Sequence, residues 1–217
     1  MLKLLKKEFG LTAAPVTFFF VLFGIMAFIT GYPIAVSAFF VCLGLQITFQ
    51  FAREYNDVLY TVLLPVRKSD VVKARYFFCV CIQMMNYILC SLVVAVRITV
   101  LSDAEVYVKN VMLSANLTFL TVVLIIFTLF NTIFIGGFFK TAYNFGKPFI
   151  FFIIAAFIVV GISETLHHIN GLEFLNAVKG DGLLEQINIL AAGIIVYVIG
   201  TLLSMKISIK RFEALDL

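Results

Sequence analysis

The sequence predicts an all-α, polytopic membrane protein forming one domain over residues 1–217, with six transmembrane helices, an N-terminal interfacial helix and a cytoplasmic helix between spans two and three. Three observations carry that prediction. The chain is 63% hydrophobic and only 13% charged, with 25 Phe and no Trp, where an ordinary soluble domain carries about 25% charge. Five uncharged windows, at residues 9–52, 76–96, 110–139, 148–163 and 186–205, match or approach the roughly 20 helical residues that cross a bilayer core of about 30 Å. Lys and Arg divide unevenly between the segments joining those windows. One side holds thirteen: Lys3, Lys6, Lys7, Arg53, Arg67, Lys68, Lys73, Arg75, Lys140, Lys147, Lys206, Lys210 and Arg211. The other holds three, Arg97, Lys109 and Lys179, so the positive-inside bias places both termini in the cytoplasm. The net charge of +4 then reads as an orientation signal and a contact with anionic lipid rather than with nucleic acid.

The elements follow in order. Residues 1–11 set Leu2, Leu5 and Phe9 on one helical face and Lys3, Lys6 and Lys7 around another, the pattern of a helix lying in the inner interface. "MLKLLKKEFG" resembles a basic leader, but no small-residue cleavage site follows residue 29, so it reads as retained. The first window is 44 residues long, twice a span, and "TGYPIA" breaks it near Gly31 and Pro33. Spans are therefore expected at 13–30, 34–52, 74–97, 112–139, 148–166 and 186–206. The fifth window would reach only about 24 Å if fully helical, so that span is extended through Glu164 toward Leu166, with Pro148 opening it. Outside, Ser102–Asn110 is short and polar. The segment 164–186, with Gly171, Gly180 and Gly182, is expected to form short helices dipping into the outer leaflet. Cys42, Cys79, Cys81 and Cys90 all fall in spans two and three and read as small buried hydrophobes. No tandem repeat or low-complexity linker appears.

Charge returns in force at "LYTVLLPVRKSDVVKARYFF", residues 59–78, within the one sizeable inner connection. Tyr55, Val58, Leu59, Val62 and Leu63 recur at i, i+3, i+4, i+7 and i+8, with Glu54, Asp57 and Thr61 opposite. That spacing predicts an amphipathic helix of about three turns, ended by Pro65, which lacks a donor and disfavours helix in the residue before it. Arg67 and Lys68 occupy the turn, Ser69 reads as the N-cap of the next helix, and Asp70 sits at the positive end of its dipole. The result is a stiff cytoplasmic elbow over residues 54–70.

Chemistry is mostly excluded. No ionisable side chain lies deep in any expected span, which argues against an intramembrane hydrolase or a proton-coupled carrier, and no catalytic or metal-binding residue is assigned. Glu164, Arg97 and the adjacent His167 and His168 sit at outer ends, the histidines reading as solvated surface. "GGFFKTAYNFGKP" fails the phosphate-cradling pattern G-x-x-x-x-G-K-[ST], since Lys147 after Gly146 is followed by Pro148.

The run "EYNDVLYTVLLPVRKSDVVKARY", residues 54–76, resembles the stretch after the second span in small bacterial ABC transporter permeases of the type-2 exporter class, the group that includes the phenol-soluble modulin exporters. Glu54, Asn56, Asp57, Leu64, Pro65, Val66, Arg67, Val71, Val72, Arg75 and Tyr76 carry the likeness. The closing "LLSMKISIKRFEALDL" is similar to the family's basic tail with its late acid, although Ala214 and Leu215 stand where basic residues are usual. The resemblance implies the type-2 exporter fold and a multi-pass permease of the cell membrane. Such permeases hydrolyse no ATP themselves, so the chain would hold no cofactor. It would work with two copies of an ATP-binding cassette subunit, which bind ATP and Mg²⁺, and with a second permease chain, identical or homologous. The helix Glu54–Leu64 and the Leu64-Pro65-Val66 turn would couple to that subunit, with Glu54, Asp57, Arg67, Lys68 and Asp70 setting register and Val62 and Leu63 filling apolar space. Gln46, Gln50, Gln83 and Asn86 are the pathway candidates, and amphipathic or antimicrobial-type peptides or other hydrophobic compounds the expected cargo. The alternative is a stand-alone membrane protein, a small secondary carrier or an assembly factor, without an ATPase partner.

Overall fold

Proline and the residue before it shape the first turn of the chain. In the computed structural model, which describes residues 2–141, 144–180 and 182–215, α1 (Leu2–Lys7) runs into a π-helical turn (Glu8–Thr12). Ala13 and Ala14 are then extended, as the residue preceding proline must be, and Pro15 opens α2 (Pro15–Val21), where its missing N–H leaves nothing unsatisfied. A 3₁₀ stretch (Leu22–Phe28) continues α2, and the two arms meet at 94°. The interfacial helix and the first span are thus one bent pair. Seven α residues and seven 3₁₀ residues reach only about 24 Å, so the tighter winding helps a short segment toward the far side.

Gly31, at φ +86°, makes the expected turn into α3 (Val36–Glu54). After it come α4 (Asp57–Val62), α5 (Lys68–Thr99), α6 (Glu105–Val108) and α7 (Leu117–Leu129). A π turn (Phe130–Ile135) and α8 (Gly136–Phe138) prolong α7. Then follow α9 (Gly146–Leu166), a 3₁₀ turn (Glu173–Asn176) and α10 (Gly182–Glu213). Among the described residues every regular element is helical. Five helices are long and apolar enough to span a bilayer, or six with the bent pair, so the all-α polytopic reading holds. At 32 residues each, α5 and α10 measure about 48 Å and overrun the apolar layer by several turns.

Boundaries moved where side chains compete for the backbone. The fourth span begins at Leu117 rather than 112, because Asn116 accepts the amide of Phe119 at 3.0 Å and caps α7 there. Ser69 is not the N-cap of α5. Arg67 takes that position in extended geometry, and Ser69 lies within the first turn. The helix expected over Glu54–Leu64 is confined to Asp57–Val62, because Asn56 adopts a left-handed conformation (φ 53°) that ends α3 and starts α4 afresh. Asp216 and Leu217, the end of the basic tail with its late acid, lie outside the described residues.

Packing puts α7 at the centre. Its span is 78% buried, whereas those of α9 and α10 are 22% buried and turn apolar faces outward. Phe49 of α3 meets Phe134 and Phe138 edge-on at 5.1 and 4.9 Å, and Phe130 meets Phe152 of α9 at 5.3 Å. Lipid tails are as apolar as these rings, so polar ties and close approach decide which helices pair. Thr17 donates to the Gly44 carbonyl at 2.7 Å and pairs with Thr48 at 2.9 Å, while Thr48 also accepts the Ala14 amide at 3.1 Å. Glycine at 44 is required by that contact, since a Cβ would stand 2.9 Å from Phe20 and 3.0 Å from the Thr17 backbone. We expect Gly44→Ala to destabilise the fold by about 1–3 kcal/mol through overpacking, read as a lowered thermal unfolding midpoint in detergent.

Candidate functional site

Two acids and two bases meet under the basic end of the bundle. Lys7 at the end of α1 reaches Asp57 Oδ1 at 2.6 Å and the Thr61 hydroxyl at 2.7 Å, both on α4. Arg75 of α5 donates through Nη2 to Asp57 Oδ2 at 2.9 Å and lies 3.1 Å through Nε from Glu8 Oε2. The Arg75 and Glu8 side chains are 2% exposed, and those of Lys7 and Asp57 18%. Arg75 also lies over the Phe49 ring, 5.2 Å from its centroid. Two positive and two negative groups cancel, the condition under which charges tolerate removal from water. Three elements, α1, α4 and α5, are tied through one carboxylate and one guanidinium.

The tie rolls α4 toward its polar edge. Spacing sets Tyr55, Val58, Leu59, Val62 and Leu63 on one apolar face, with Glu54, Asp57 and Thr61 opposite. Val58 is buried and Val62 half-buried, but Thr61 is buried as well and Asp57 points inward, because Lys7 and Arg75 claim its carboxylate. Tyr55, Leu59, Tyr60, Leu63 and Leu64 are left exposed in a run at the tip, beside exposed Glu54, Pro65 and Arg67. Val62 is half-buried, and Val66 packs against the core. Glu54 accepts from Gln50 at 3.0 Å, Lys68 donates to the Leu215 carbonyl, and Asp70 pairs with Lys73 at 3.8 Å.

Lys7, Glu8, Thr61 and Arg75 lie outside the coupling set that the sequence marks. Arg75 stands in the motif quoted for the resemblance and Glu8 is a lone acid beside lysines, but nothing local joins residue 8 to residue 75.

The pathway candidates divide. Gln83 and Asn131 exchange two hydrogen bonds, at 2.9 and 3.1 Å; Asn131 also donates to Thr201 at 2.9 Å, and Tyr197 donates to Gln83 at 2.8 Å. Asn86 donates to the Val21 carbonyl at 2.9 Å, where α2 tightens into 3₁₀ winding. Both Gln83 and Asn86 are fully buried and hold helices together within the chain. Gln46 is buried, and Gln50 is half-buried near α4.

At the opposite end, connections rather than a catalytic group organise the polar residues. His167 is buried, not solvated as expected, because its Nε2 bonds the Val111 carbonyl at 3.1 Å in the approach to α7. Glu164 accepts the Leu113 amide at 2.9 Å, and Asn116 donates to the Leu175 carbonyl at 2.8 Å, so residues 164–180 of segment 164–186 fold as a cap over α7. Arg97 stacks on Tyr107 at 4.3 Å, and Tyr107 donates to the Phe28 carbonyl at 2.8 Å. Lys179 bonds Asp103 at 2.6 Å and holds its carboxyl below the usual range. Among the described residues no group of three or more His, Cys, Asp and Glu could hold a metal.

Five spans, or six with the bent pair, define a multi-pass helical membrane protein. Residues 3–213 match the family described as ABC-2 family transporter protein, and the chain belongs to that family. Membership makes it a transporter permease of the kind that in general works with an ATP-binding subunit. Among curated proteins and solved structures, none matches significantly.

We expect Arg75→Met to cost about 3–5 kcal/mol, because Glu8 and Asp57 then share only Lys7 while remaining buried. Adding Glu8→Gln should recover part of it. Leu63→Ala should stay within about 0.5 kcal/mol, all read from unfolding in detergent.

Proposed function

We propose that the chain is the membrane subunit of an ATP-driven exporter in the cell membrane, with both termini cytoplasmic and α4 as the element that receives force from a separate ATP-binding subunit. The observation that carries this reading is that Asp57 is held at once by Lys7 and Arg75. A displacement of α4 is then handed to two spans together: through Lys7 to α1 and the bent arm leading into α2, and through Arg75 to α5. Glu8 closes the loop by joining α1 to α5 directly. An ion-paired junction suits this task because it is stiff in position yet adds no bulk at the basic rim.

The exposed tip, Tyr55, Leu59, Leu63 and Leu64, would fill an apolar groove on the ATP-binding subunit, with Glu54, Arg67, Lys68 and Asp70 at its rim. Two such subunits would bind ATP and Mg²⁺, and closure on nucleotide would push α4 of two permease chains, identical or homologous. Amphipathic or antimicrobial-type peptides are the cargo class favoured, because the outward faces of α9 and α10 are apolar between their polar ends. Gln46 and Gln50 stay as candidates for contact with cargo, whereas Gln83 and Asn86 are committed to internal ties.

The test co-expresses the permease with the ATPase encoded beside it and measures complex recovery and cargo-stimulated ATP hydrolysis. Leu63→Asp is expected to reduce recovery at least tenfold. Asp57→Asn should leave recovery intact while lowering cargo stimulation several-fold. Undiminished recovery with Leu63→Asp, or full stimulation with Asp57→Asn, would refute the assignment.

A further inference from the structure

Midway along the basic half of α10 its outward face opens into a groove against the π turn of α7. The cavity measures about 250 Å³ and is lined by Thr132, Gly136, Gly200, Leu203, Ser204, Ile207 and Arg211. Gly200, Leu203, Ile207 and Arg211 fall at i, i+3, i+7 and i+11, one stripe of the helix, and Leu203 and Ile207 are about half exposed. Gly136 and Gly200 place no side chain in the channel. Its two hydroxyls are turned to the protein, Thr132 donating to the Thr128 carbonyl at 2.8 Å and Ser204 to the Asn131 carbonyl at 2.8 Å. Along its length the groove is therefore a slot for hydrocarbon.

One end is different. Arg211 Nη1 donates to the Gly136 carbonyl at 3.0 Å, which holds the guanidinium across the mouth and uses one of its five donors. Lys206 and Lys210 are exposed on the same rim. Eleven residues of helix separate Gly200 from Arg211, about 16 Å along the axis. The uncharged window of this span stops at Met205, so the groove crosses from the apolar layer into the basic rim.

We propose that this groove seats one acyl chain of an anionic phospholipid whose phosphate is held by Arg211. An occupant here must be apolar over most of its length and carry negative charge at one end. Guanidinium and phosphate oxygens match in geometry as well as charge. A peptide backbone fits less well, because its N–H and C=O groups would lie in a slot whose hydroxyl donors are already spent.

The experiment uses the full chain purified in detergent and given phosphatidylglycerol, phosphatidylcholine with the same acyl chains, or inorganic phosphate, with retained ligand counted by native mass spectrometry. One phosphatidylglycerol per chain is expected, bound about tenfold more tightly than phosphatidylcholine, with millimolar phosphate failing to displace it. Arg211→Gln should bring phosphatidylglycerol down to the phosphatidylcholine level, and Leu203→Trp, at an exposed wall, should exclude both. Equal retention of the two lipids, or full phosphatidylglycerol binding by Arg211→Gln, overturns the proposal. So does a Leu203→Trp variant that loses self-association while keeping its lipid, which would make a second permease chain the occupant. If Arg211→Gln does not elute as a folded species, Leu203→Trp and the lipid comparison decide alone.

Discussion

A buried guanidinium sets the geometry of the whole basic end. Arg75 is almost completely removed from water, and two carboxylates, Glu8 and Asp57, must come to it or leave it uncompensated. Glu8 can reach it only if α1 lies across the foot of α5, which requires the chain to bend by 94° before entering the bilayer. Asp57 can reach it only if α4 rolls its polar edge inward, and that roll is what presents Tyr55, Leu59 and Leu63 to the outside. The pairing of Asp57 and the burial of Val58 and Thr61 together leave the apolar tip outside.

Inside the apolar layer a different rule operates. Burial of Phe and Leu confers little preference for one helix neighbour over another when lipid is the competing solvent, so amides and hydroxyls specify partners. Gln83, Asn131, Thr201 and Tyr197 join α5, α7 and α10, and Tyr76 adds hydrogen bonds to Ser204 and Ser208 at 2.8 and 2.9 Å. The π turn of α7 sits within this network, where the Asn131 carbonyl accepts the Ser204 hydroxyl. In α2 the change from α to 3₁₀ winding is met by Asn86. Irregular backbone thus occurs where a neighbouring polar side chain can serve it.

The two ends are built to different purposes. At the loop end His167, Glu164 and Asn116 satisfy backbone groups of the connections and close a cap. At the basic end side chains pair with side chains and an apolar surface is left uncovered, which suits a site of contact with another molecule, whether protein at α4 or lipid beside α10.

Residue type and order alone determined the helical class, the five long spans and their approximate limits, the break at Gly31 and Pro33, and the connection over residues 54–70 as the place where charge collects. Each follows from short-range constraints: backbone polar groups in a bilayer must bond within their own helix, and proline and glycine punctuate the chain locally. Which face of α4 turns inward, the commitment of Gln83 and Asn86 to internal hydrogen bonds, and the burial of His167 were decided only in the folded molecule. Periodicity locates an apolar stripe but cannot weigh it against a carboxylate that a lysine 50 residues earlier and an arginine 18 residues later both require. Where a long-range ion pair competes with local amphipathicity, an uncompensated buried charge costs about 3–5 kcal/mol, more than the partial exposure of one leucine, and tertiary structure takes the choice.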